Sequence, residues 1–352
     1  MLTWNDILSL RLQRQHLQSA VSREHYDQLY LDMSPVPTRY WTAPGDPPTL
    51  PAHVDFDDYD YNSCRRAKRS LLKGRFAGGA IAYVTKEDLE LFACLYKKEV
   101  LEFTLIQAEL LELLRQEGPM NIQLMKELTG LLVKEITPAL HKLQEAFVLY
   151  EDQLDNEGDR GWYLFESEFP EVDIDRYTKL EALKQVLPRA ARLLIFSNEE
   201  LLKSYYRLPM KLIKEAIFEL VEEKVLLPVT LEERSGYLLM EDKGLLHQEL
   251  VTAVEQRVVL LQRNDFMVRT YAEHLKEAFP SEWDVLYYLL IGREIHGAVV
   301  GRFKFGPHII EDIVLDLSTE EQVKWQEEIL TAVYEVFDRE TSPVKRFAGK
   351  KI

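Results

Sequence analysis

One order of secondary structure occurs twice in this chain, about eighty residues apart, and this repeat constrains the fold more than any other feature. In the first copy a helical pattern runs from Leu101 to Gln116, breaks at Gly118-Pro119, and resumes as two further helices on either side of Gly130. The segments "VLYEDQL", "DNEGD" and "GWYLFE" then predict a β-hairpin. Three helices closed by a two-stranded ribbon, with the second and third in a helix-turn-helix, are typical of a winged helix.

The second copy begins near Leu180 and follows the same order. A helix extends through Phe196, Asn198 caps the next one, and a third helix covers Lys211 to Lys224. The stretch "VLLPVTLEERSGYLLME" supplies the second hairpin. A supersecondary plan found twice arises by chance far less often than one found once, so the sequence predicts tandem winged helices.

The C-terminal region has a different pattern. Its segment "WDVLYYLLIGREIHGAVVGRFKFGPHIIEDIVLDL" alternates and bends at Gly292 and Gly306, which predicts an antiparallel meander. Ser318 and Glu321 form a capping box that begins a last helix, and the tail "KRFAGKK" is expected to be frayed. The predicted fold class is therefore α+β, with mostly helical tandem winged-helix repeats and a C-terminal antiparallel β-sheet. The predicted domains are an N-terminal helical region (1–99), winged helices (100–170 and 171–250), and a sheet with a terminal helix (251–352).

The charge of the chain is distributed unevenly. The formal net charge is −16, yet the first hundred residues hold 13 Lys and Arg against 13 Asp and Glu. Six cations with no acid lie between Cys64 and Phe76, namely Arg65, Arg66, Lys68, Arg69, Lys73 and Arg75. We call these six residues the basic island. Because nucleic-acid binding needs clustered cations, they are the predicted DNA-binding residues. The alternative is a basic helix paired with the acidic turn "DFDDYD" before it.

Composition also limits the cellular setting. The two cysteines make neither a disulfide framework nor a metal-ligand spacing, which favours a reducing compartment, and we predict a cytoplasmic protein. The N-terminus lacks the pattern of a secretory signal, and the chain contains no continuous apolar run long enough for a membrane span. A proline-rich insertion at 35–61 carries too many aromatic residues for a disordered linker and is expected to be ordered.

Signatures of several enzyme classes are absent. The sequence has no Walker loop, no Gly-x-Gly-x-x-Gly, no His-Glu-x-x-His and no Gly-x-Ser-x-Gly. We therefore predict no nucleotide cofactor and no metal. The third helices of both repeats carry glutamates among their lysines, and glutamates repel phosphate. The winged helices are accordingly expected to act mainly as a scaffold.

Several segments together resemble a known family, the AlkZ-like winged-helix DNA glycosylases of bacteria, which remove alkylated bases. The matching segments are "RLQRQHL" near the start, the two predicted winged helices, "LLQRNDFMV" at 260–268 and "REIHGAVVGRFKF" at 293–305. This resemblance implies binding of double-stranded DNA and a role in DNA repair. It leaves open whether the chain is an enzyme that hydrolyses an N-glycosidic bond.

The resemblance also implies where the catalytic residues lie. The family's reactive motif is two glutamines, or a glutamine and an aspartate, separated by one apolar residue about twenty residues after the first helix motif. This chain lacks the glutamine pair and has Asp32, Met33 and Ser34 in that register. A carboxylate at Asp32 is able to stabilise a cationic sugar and orient the attacking water, with Ser34 as a hydrogen-bonding partner. The alternative is that Asp32 or Ser34 caps the turn before Pro35.

A base-excising enzyme must also hold the extruded base, often against an aromatic wall. Tyr40 and Trp41 are the candidate base-stacking residues, with burial in a core as the alternative for Trp41. The alternative function for the whole chain is a non-enzymatic module that binds a protein or a DNA structure. The acidic excess favours that alternative, whereas the basic island opposes it.

Overall fold

The structure, a computed structural model, describes residues 2–39, 46–76, 78–152, 160–247, 257–303 and 307–352. Its N-terminal region combines helices with a small antiparallel sheet of strand order β1-β3-β2. A single turn of 3₁₀-helix at Lys86–Asp88 connects that sheet to the next helix. The elements are α1 (Trp4–Arg14), α2 (Tyr26–Asp32), β1 (Val36–Pro37), α3 (Asp58–Ala67), β2 (Leu71–Phe76), β3 (Ala80–Thr85) and α4 (Leu89–Tyr96).

A first unit of three helices and a two-stranded ribbon follows, in the order that the sequence predicts. Its elements are α5 (Leu105–Glu117), α6 (Ile122–Thr129), α7 (Val133–Glu145), β4 (Leu149–Asp152) and β5 (Gly161–Leu164). Thr104 caps α5 in a reciprocal capping box with Gln107. Gly130 ends α6 in the left-handed conformation, with φ of 73°, which glycine adopts at little cost. A short helix, α8 (Phe165–Glu168), leads out of this unit.

The second unit repeats that order. It contains α9 (Lys179–Leu194), α10 (Glu199–Tyr206), α11 (Met210–Glu222), β6 (Leu226–Leu231) and β7 (Arg234–Leu239). The side chain of Thr178 caps α9, and the side chain of Asn198 caps α10 as predicted. A 3₁₀ stretch at Met240–His247 ends the unit.

A six-stranded sheet of order β13-β12-β11-β10-β9-β8 forms the C-terminal part. Its strands and helices are β8 (Val258–Gln262), α12 (Phe266–Thr270), α13 (Ala272–Ala278), β9 (Asp284–Ile291), β10 (Glu294–Arg302), β11 (Ile309–Leu315), α14 (Thr319–Val336), β12 (Arg346–Phe347) and β13 (Lys350–Lys351). Strands β9 to β11 form the antiparallel meander that the sequence predicts, and β8, which lies before the predicted segment, pairs antiparallel with β9. The predicted α+β fold class is confirmed.

The structure corrects the prediction for the tail. Residues 346–351 are not frayed, because β12 and β13 pair with each other and β12 lies parallel to β11, with Phe347 opposite Ile313. Phe347 is buried in the core between the sheet and α14. One apolar side chain in an otherwise basic tail therefore anchors it.

The buried apolar residues are divided unequally among these parts. The largest cluster joins α2, α4 and the small sheet to α9, α10 and α11, and it also includes Phe147 and Tyr150 from the ribbon side of the first unit. The helices α5 to α7 lie in a separate core around Leu110, Leu140 and Trp162. Among the described residues no helix is both long and apolar enough to cross a membrane.

Candidate functional site

Asp32 is the last residue of α2, and its carboxylate faces α9. The side chain is 11% exposed. Gln28, one turn earlier, donates a hydrogen bond from Nε2 to Oδ1 of Asp32 at 3.1 Å. A guanidinium nitrogen of Arg192 lies 3.6 Å from the same oxygen. Both contacts favour the ionised carboxylate.

Burial and the neighbouring polar groups shift the pKa of Asp32 in opposite directions. Burial raises the pKa of Asp32 above its ordinary value, although Arg192, the hydrogen bond from Gln28 and Arg189 act in the opposite direction. Arg189 is itself held by Asp88, to which it donates two hydrogen bonds, one of them 3.0 Å long. Two arginines of α9 thus lie beside the C-terminal end of α2.

Ser34 lies two residues further on and is buried. Its hydroxyl donates a hydrogen bond to the main-chain oxygen of Tyr30 at 2.8 Å. The neighbouring carbonyls are held as well: Tyr205 donates to that of Met33 at 2.5 Å, and Arg269 donates to that of Pro35 at 2.9 Å. Within the described ranges no hydrogen bond joins Ser34 to Asp32. Ser34 keeps an acceptor lone pair, but its own proton is engaged by the backbone.

The basic island comprises the end of α3 and part of strand β2. Lys73 and Arg75 alternate with buried residues on β2 and face the first three-helix unit. The ammonium of Lys73 lies 3.2 Å from the carboxylate of Glu151, and this ion pair is almost completely buried. Burial lowers the pKa of Lys73, and the attraction of Glu151 only partly offsets this effect. Arg75 donates to Gln144 at 2.8 Å and to the carbonyl of Gly79 at 3.2 Å.

The arginines at the end of α3 also have partners. Arg65 lies 3.2 Å from Asp27 and packs over the ring of Tyr30 at 5.0 Å from its centre. Arg66 is buried, with its guanidinium 5.5 Å from the ring centre of Tyr83.

The side chain of Arg69 contacts acids at the ribbon end of the first unit. It forms an ion pair with Glu168 and lies 3.5 Å from Asp152. Its guanidinium also packs over the ring of Tyr163. Acids distant in sequence therefore neutralise three of the six cations of the basic island, Arg65, Arg69 and Lys73.

Lys68 differs from the other five. It is exposed at the end of α3 and makes neither an ion pair nor a side-chain hydrogen bond in the part of the chain that the structure describes. It lines a cavity of about 690 Å³ between α2, α3 and the start of the 3₁₀ turn after β3, whose wall also carries the cations Arg23 and Arg65 and the carboxylates of Asp27, Asp57, Asp60 and Glu87. Of the basic island, Lys68 is the residue best placed to meet an anion from solution. Tyr40 and Trp41 lie outside the described residues.

One buried pair, His53 with Asp265, is not predicted from the sequence. His53 is completely buried, and its Nε2 lies 2.7 Å from a carboxylate oxygen of Asp265. Its Nδ1 lies 2.5 Å from the main-chain oxygen of Gln15. The pair connects the end of α1, the proline-rich insertion and the start of α12, which Asp265 caps. Asp265 lies in "LLQRNDFMV", one of the segments that carry the family resemblance, but nothing in the sequence connects it with a histidine 212 residues away.

Comparison with solved structures gives a match along the whole chain. The structure is similar to that of the Streptomyces sahachiroi DNA glycosylase AlkZ, with a TM-score of 0.66 over 98% of each chain. The two chains have the same fold. Their sequences are 14% identical. No protein-family profile and no curated protein matches the sequence.

A similarity at this identity establishes the fold and does not transfer residue roles from AlkZ to this chain. The shared fold includes the N-terminal region, both three-helix units and the C-terminal sheet, because the match covers nearly all of both chains. The roles of Asp32, Ser34 and the basic island remain predictions.

Proposed function

We propose that the chain is a DNA-binding protein of the DNA-repair type, built on two winged helices and related in function to glycosylases that remove alkylated bases. The observation that carries this proposal is the similarity of fold to AlkZ over the full length of both chains. The order of three helices and a ribbon in each repeat supports the winged-helix interpretation.

In this proposal Asp32 is the catalytic group. Loss of a base from DNA passes through a cationic sugar, and a carboxylate close to that sugar stabilises the charge and orients the attacking water. Burial raises the pKa of Asp32, and the contacts with Arg192 and Gln28 offset part of this effect by favouring the ionised carboxylate. Ser34 acts through its remaining lone pair, and Tyr40 and Trp41 supply the base-stacking wall.

The proposed contact with the DNA backbone centres on Lys68, with the rest of the basic island around it. Arg65, Arg69 and Lys73 are paired with acids, so their substitution would disturb the fold as well as any binding. Lys68 is the sharper probe because it is exposed and makes no such contact.

Binding is tested by titrating the full chain into a labelled duplex and following fluorescence anisotropy at several salt concentrations. Lys68→Glu is expected to weaken binding and to lower the slope of log K against log salt by about one, as for the loss of one phosphate contact. Lys126→Glu, an exposed lysine on α6, is the matched control and should bind like the wild type. A wild-type chain that does not bind the duplex even at low salt would exclude the DNA-binding proposal.

Catalysis is tested on a duplex containing an alkylated purine, with release of the free base as the readout. Asp32→Asn keeps the size of the side chain and removes its charge, so base release is expected to stop while duplex binding persists. If the variant turns over at the wild-type rate, Asp32 is not the catalytic group.

A non-enzymatic module is the second candidate function, and the neutralisation of the basic island favours it. With Arg65, Arg69 and Lys73 paired, little free positive charge is left on this part of an acidic protein. Exposed apolar residues also surround the turn between α6 and α7, where Leu128 and Leu132 are 54% and 49% exposed. A helix-turn-helix that reads DNA places polar side chains there. The absence of both duplex binding at low salt and base release would favour this candidate.

A further inference from the structure

A small pocket lies between α1, the helices α12 and α13, and the turn that joins β9 to β10. Its cavity volume is about 120 Å³. Trp4, Leu8 and Arg11 line it from one face of α1, since they are separated by four and three residues. Tyr271 and Arg293 line the opposite walls. This pocket is separate from the Asp32 region and from the cavity at Lys68.

Arg11 is the most deeply buried charged group of this pocket, with 2% of its surface exposed. Its Nε donates to the carbonyl of Leu194 at 3.1 Å, and one terminal nitrogen donates to that of Phe196 at 3.3 Å. The other terminal nitrogen donates to the hydroxyl of Tyr271. Every one of these acceptors is neutral, and Arg11 forms no ion pair with any residue in the described ranges. A buried cation without an anion is costly, and Arg11 has no carboxylate within ion-pair distance among the described residues.

Arg14, three residues later on α1, shows the contrast. It is more exposed than Arg11, with 28% of its side chain accessible, yet it forms a two-pronged ion pair with Asp242. Arg14, which needs a counterion less than the buried Arg11 does, therefore has one within the protein. The counterion of Arg11 must therefore come from elsewhere if its charge is to be balanced.

The other polar groups of the pocket also suit an anion. Arg293 brings a second guanidinium, which is oriented by a hydrogen bond from its Nε to the hydroxyl of Ser9 at 2.8 Å. Tyr271 accepts from Arg11, and its own O–H has no acceptor among the residues that the structure describes. Among the described residues that line the pocket, Glu294 is the one carboxylate, beside the guanidinium groups of Arg11 and Arg293.

We propose that this pocket binds a phosphate group. Two guanidinium groups and a tyrosine hydroxyl offer more donors than the two oxygens of a carboxylate accept, whereas phosphate presents three or four oxygens and up to two charges. The cavity is smaller than the roughly 300 to 1,000 Å³ of pockets that enclose whole ligands. It takes the phosphate group and leaves the rest of a larger molecule outside. The site does not depend on the proposed DNA binding, because free phosphate is expected to enter it as well.

The test uses isothermal titration of the full chain with inorganic phosphate at low ionic strength. The wild type is expected to bind one phosphate saturably, and Tyr271→Phe and Arg293→Gln are each expected to weaken binding by about tenfold or more. Arg115→Gln removes the same charge from an exposed position on α5 and is the matched control, with unchanged affinity. Arg11→Gln is not used alone, because Arg11 also holds the carbonyls of Leu194 and Phe196 and its loss can unfold the chain.

Competition identifies the source of the phosphate. An oligonucleotide with a 5′-phosphate that displaces inorganic phosphate, while its 5′-hydroxyl counterpart does not, assigns the site to a nucleic-acid end. Displacement by a sugar phosphate and not by the oligonucleotide assigns it to a metabolite. Either result supports the site. The proposal is overturned if the wild type takes up no phosphate saturably, or if Tyr271→Phe and Arg293→Gln both bind it as the wild type does.

Discussion

At the scale of single residues, the pair of His53 and Asp265 links protonation to folding. Both ring nitrogens of His53 face acceptors, the Gln15 carbonyl and the Asp265 carboxylate, so the doubly protonated ring satisfies both contacts. Burial lowers the pKa of His53, but Asp265 and the bond to Gln15 outweigh burial, and the pKa is raised above its ordinary value. The folded state therefore binds a proton that the unfolded state releases near pH 6.5.

This raised pKa fixes the sign of a pH effect on stability. The stabilisation by the pair is fully present below the unfolded pKa of about 6.5 and is lost as pH rises through the folded value. Asp265→Asn keeps the oxygen that caps α12 and removes the charge, and it is expected to lower the free energy of unfolding by about 3 to 5 kcal/mol at low pH. The loss should shrink above the folded pKa. Urea unfolding of the wild type and of Asp265→Asn at a series of pH values measures this difference in the free energy of unfolding. A difference that does not change with pH would contradict the raised pKa of His53.

The sequence predicts the clustering of the six cations of the basic island but not their partners in the fold. Its six cations are contiguous in sequence, and the sequence predicts one DNA-binding surface from them. Strand β2 instead directs Lys73 and Arg75 toward the first unit, because alternate residues of a strand point to opposite faces. The paired acids Glu151 and Glu168 lie about 80 to 100 residues away, at a distance in sequence that periodicity cannot bridge.

At the scale of elements, local signals were reliable where the deciding interaction is short-range. The capping box of Ser318 and Glu321 begins α14 as predicted, with the hydroxyl of Ser318 2.7 Å from the carboxylate. Asn198 caps α10 for the same reason. The pairing of β12 with β11 depends instead on a contact between residues 34 apart, Ile313 and Phe347, and a basic composition concealed it.

Gly236 on β7 provides a test at this scale. A methyl group there would lie 2.4 Å from the ring tip of Phe196 and 2.5 Å from the carbonyl oxygen of Ser197, which is bridged to Tyr237 in the neighbouring backbone. Gly236→Ala is therefore expected to lower the free energy of unfolding by about 1 to 3 kcal/mol. Gly244→Ala, in the following 3₁₀ stretch, meets no atom within 4 Å and is the control, expected within about 0.5 kcal/mol of the wild type. Equal stability of the two variants in urea would show that β7 does not pack against Phe196 in this way.

At the scale of the whole molecule, the two repeats are alike in order and unlike in how they are stabilised. The helices of the second unit share a core with α2, α4 and the small sheet. In the first unit the helices α5 to α7 have a core of their own, whereas the ribbon side joins the larger core through Phe147 and Tyr150 and also makes polar contacts with β2, such as Lys73 with Glu151. Sequence repetition predicted both units but not this difference, because it records the interior of each repeat and not what its outer face contacts.

This difference predicts separate local stabilities, since helices that contribute no buried residue to the common core open more readily than helices within it. The protection of amides against hydrogen exchange is expected to be at least about tenfold lower in α5 to α7 than in α9 to α11. This corresponds to an opening free energy that is lower by about 1.4 kcal/mol. Lys73→Met removes the buried ammonium and leaves Glu151 with Arg160 at 3.2 Å. It should lower protection in α5 to α7 further and leave α9 to α11 unchanged. Equal protection of the two sets of helices in the wild type, measured by mass spectrometry under native conditions, would mean that the aromatic and polar contacts of the ribbon couple them as firmly as a shared core.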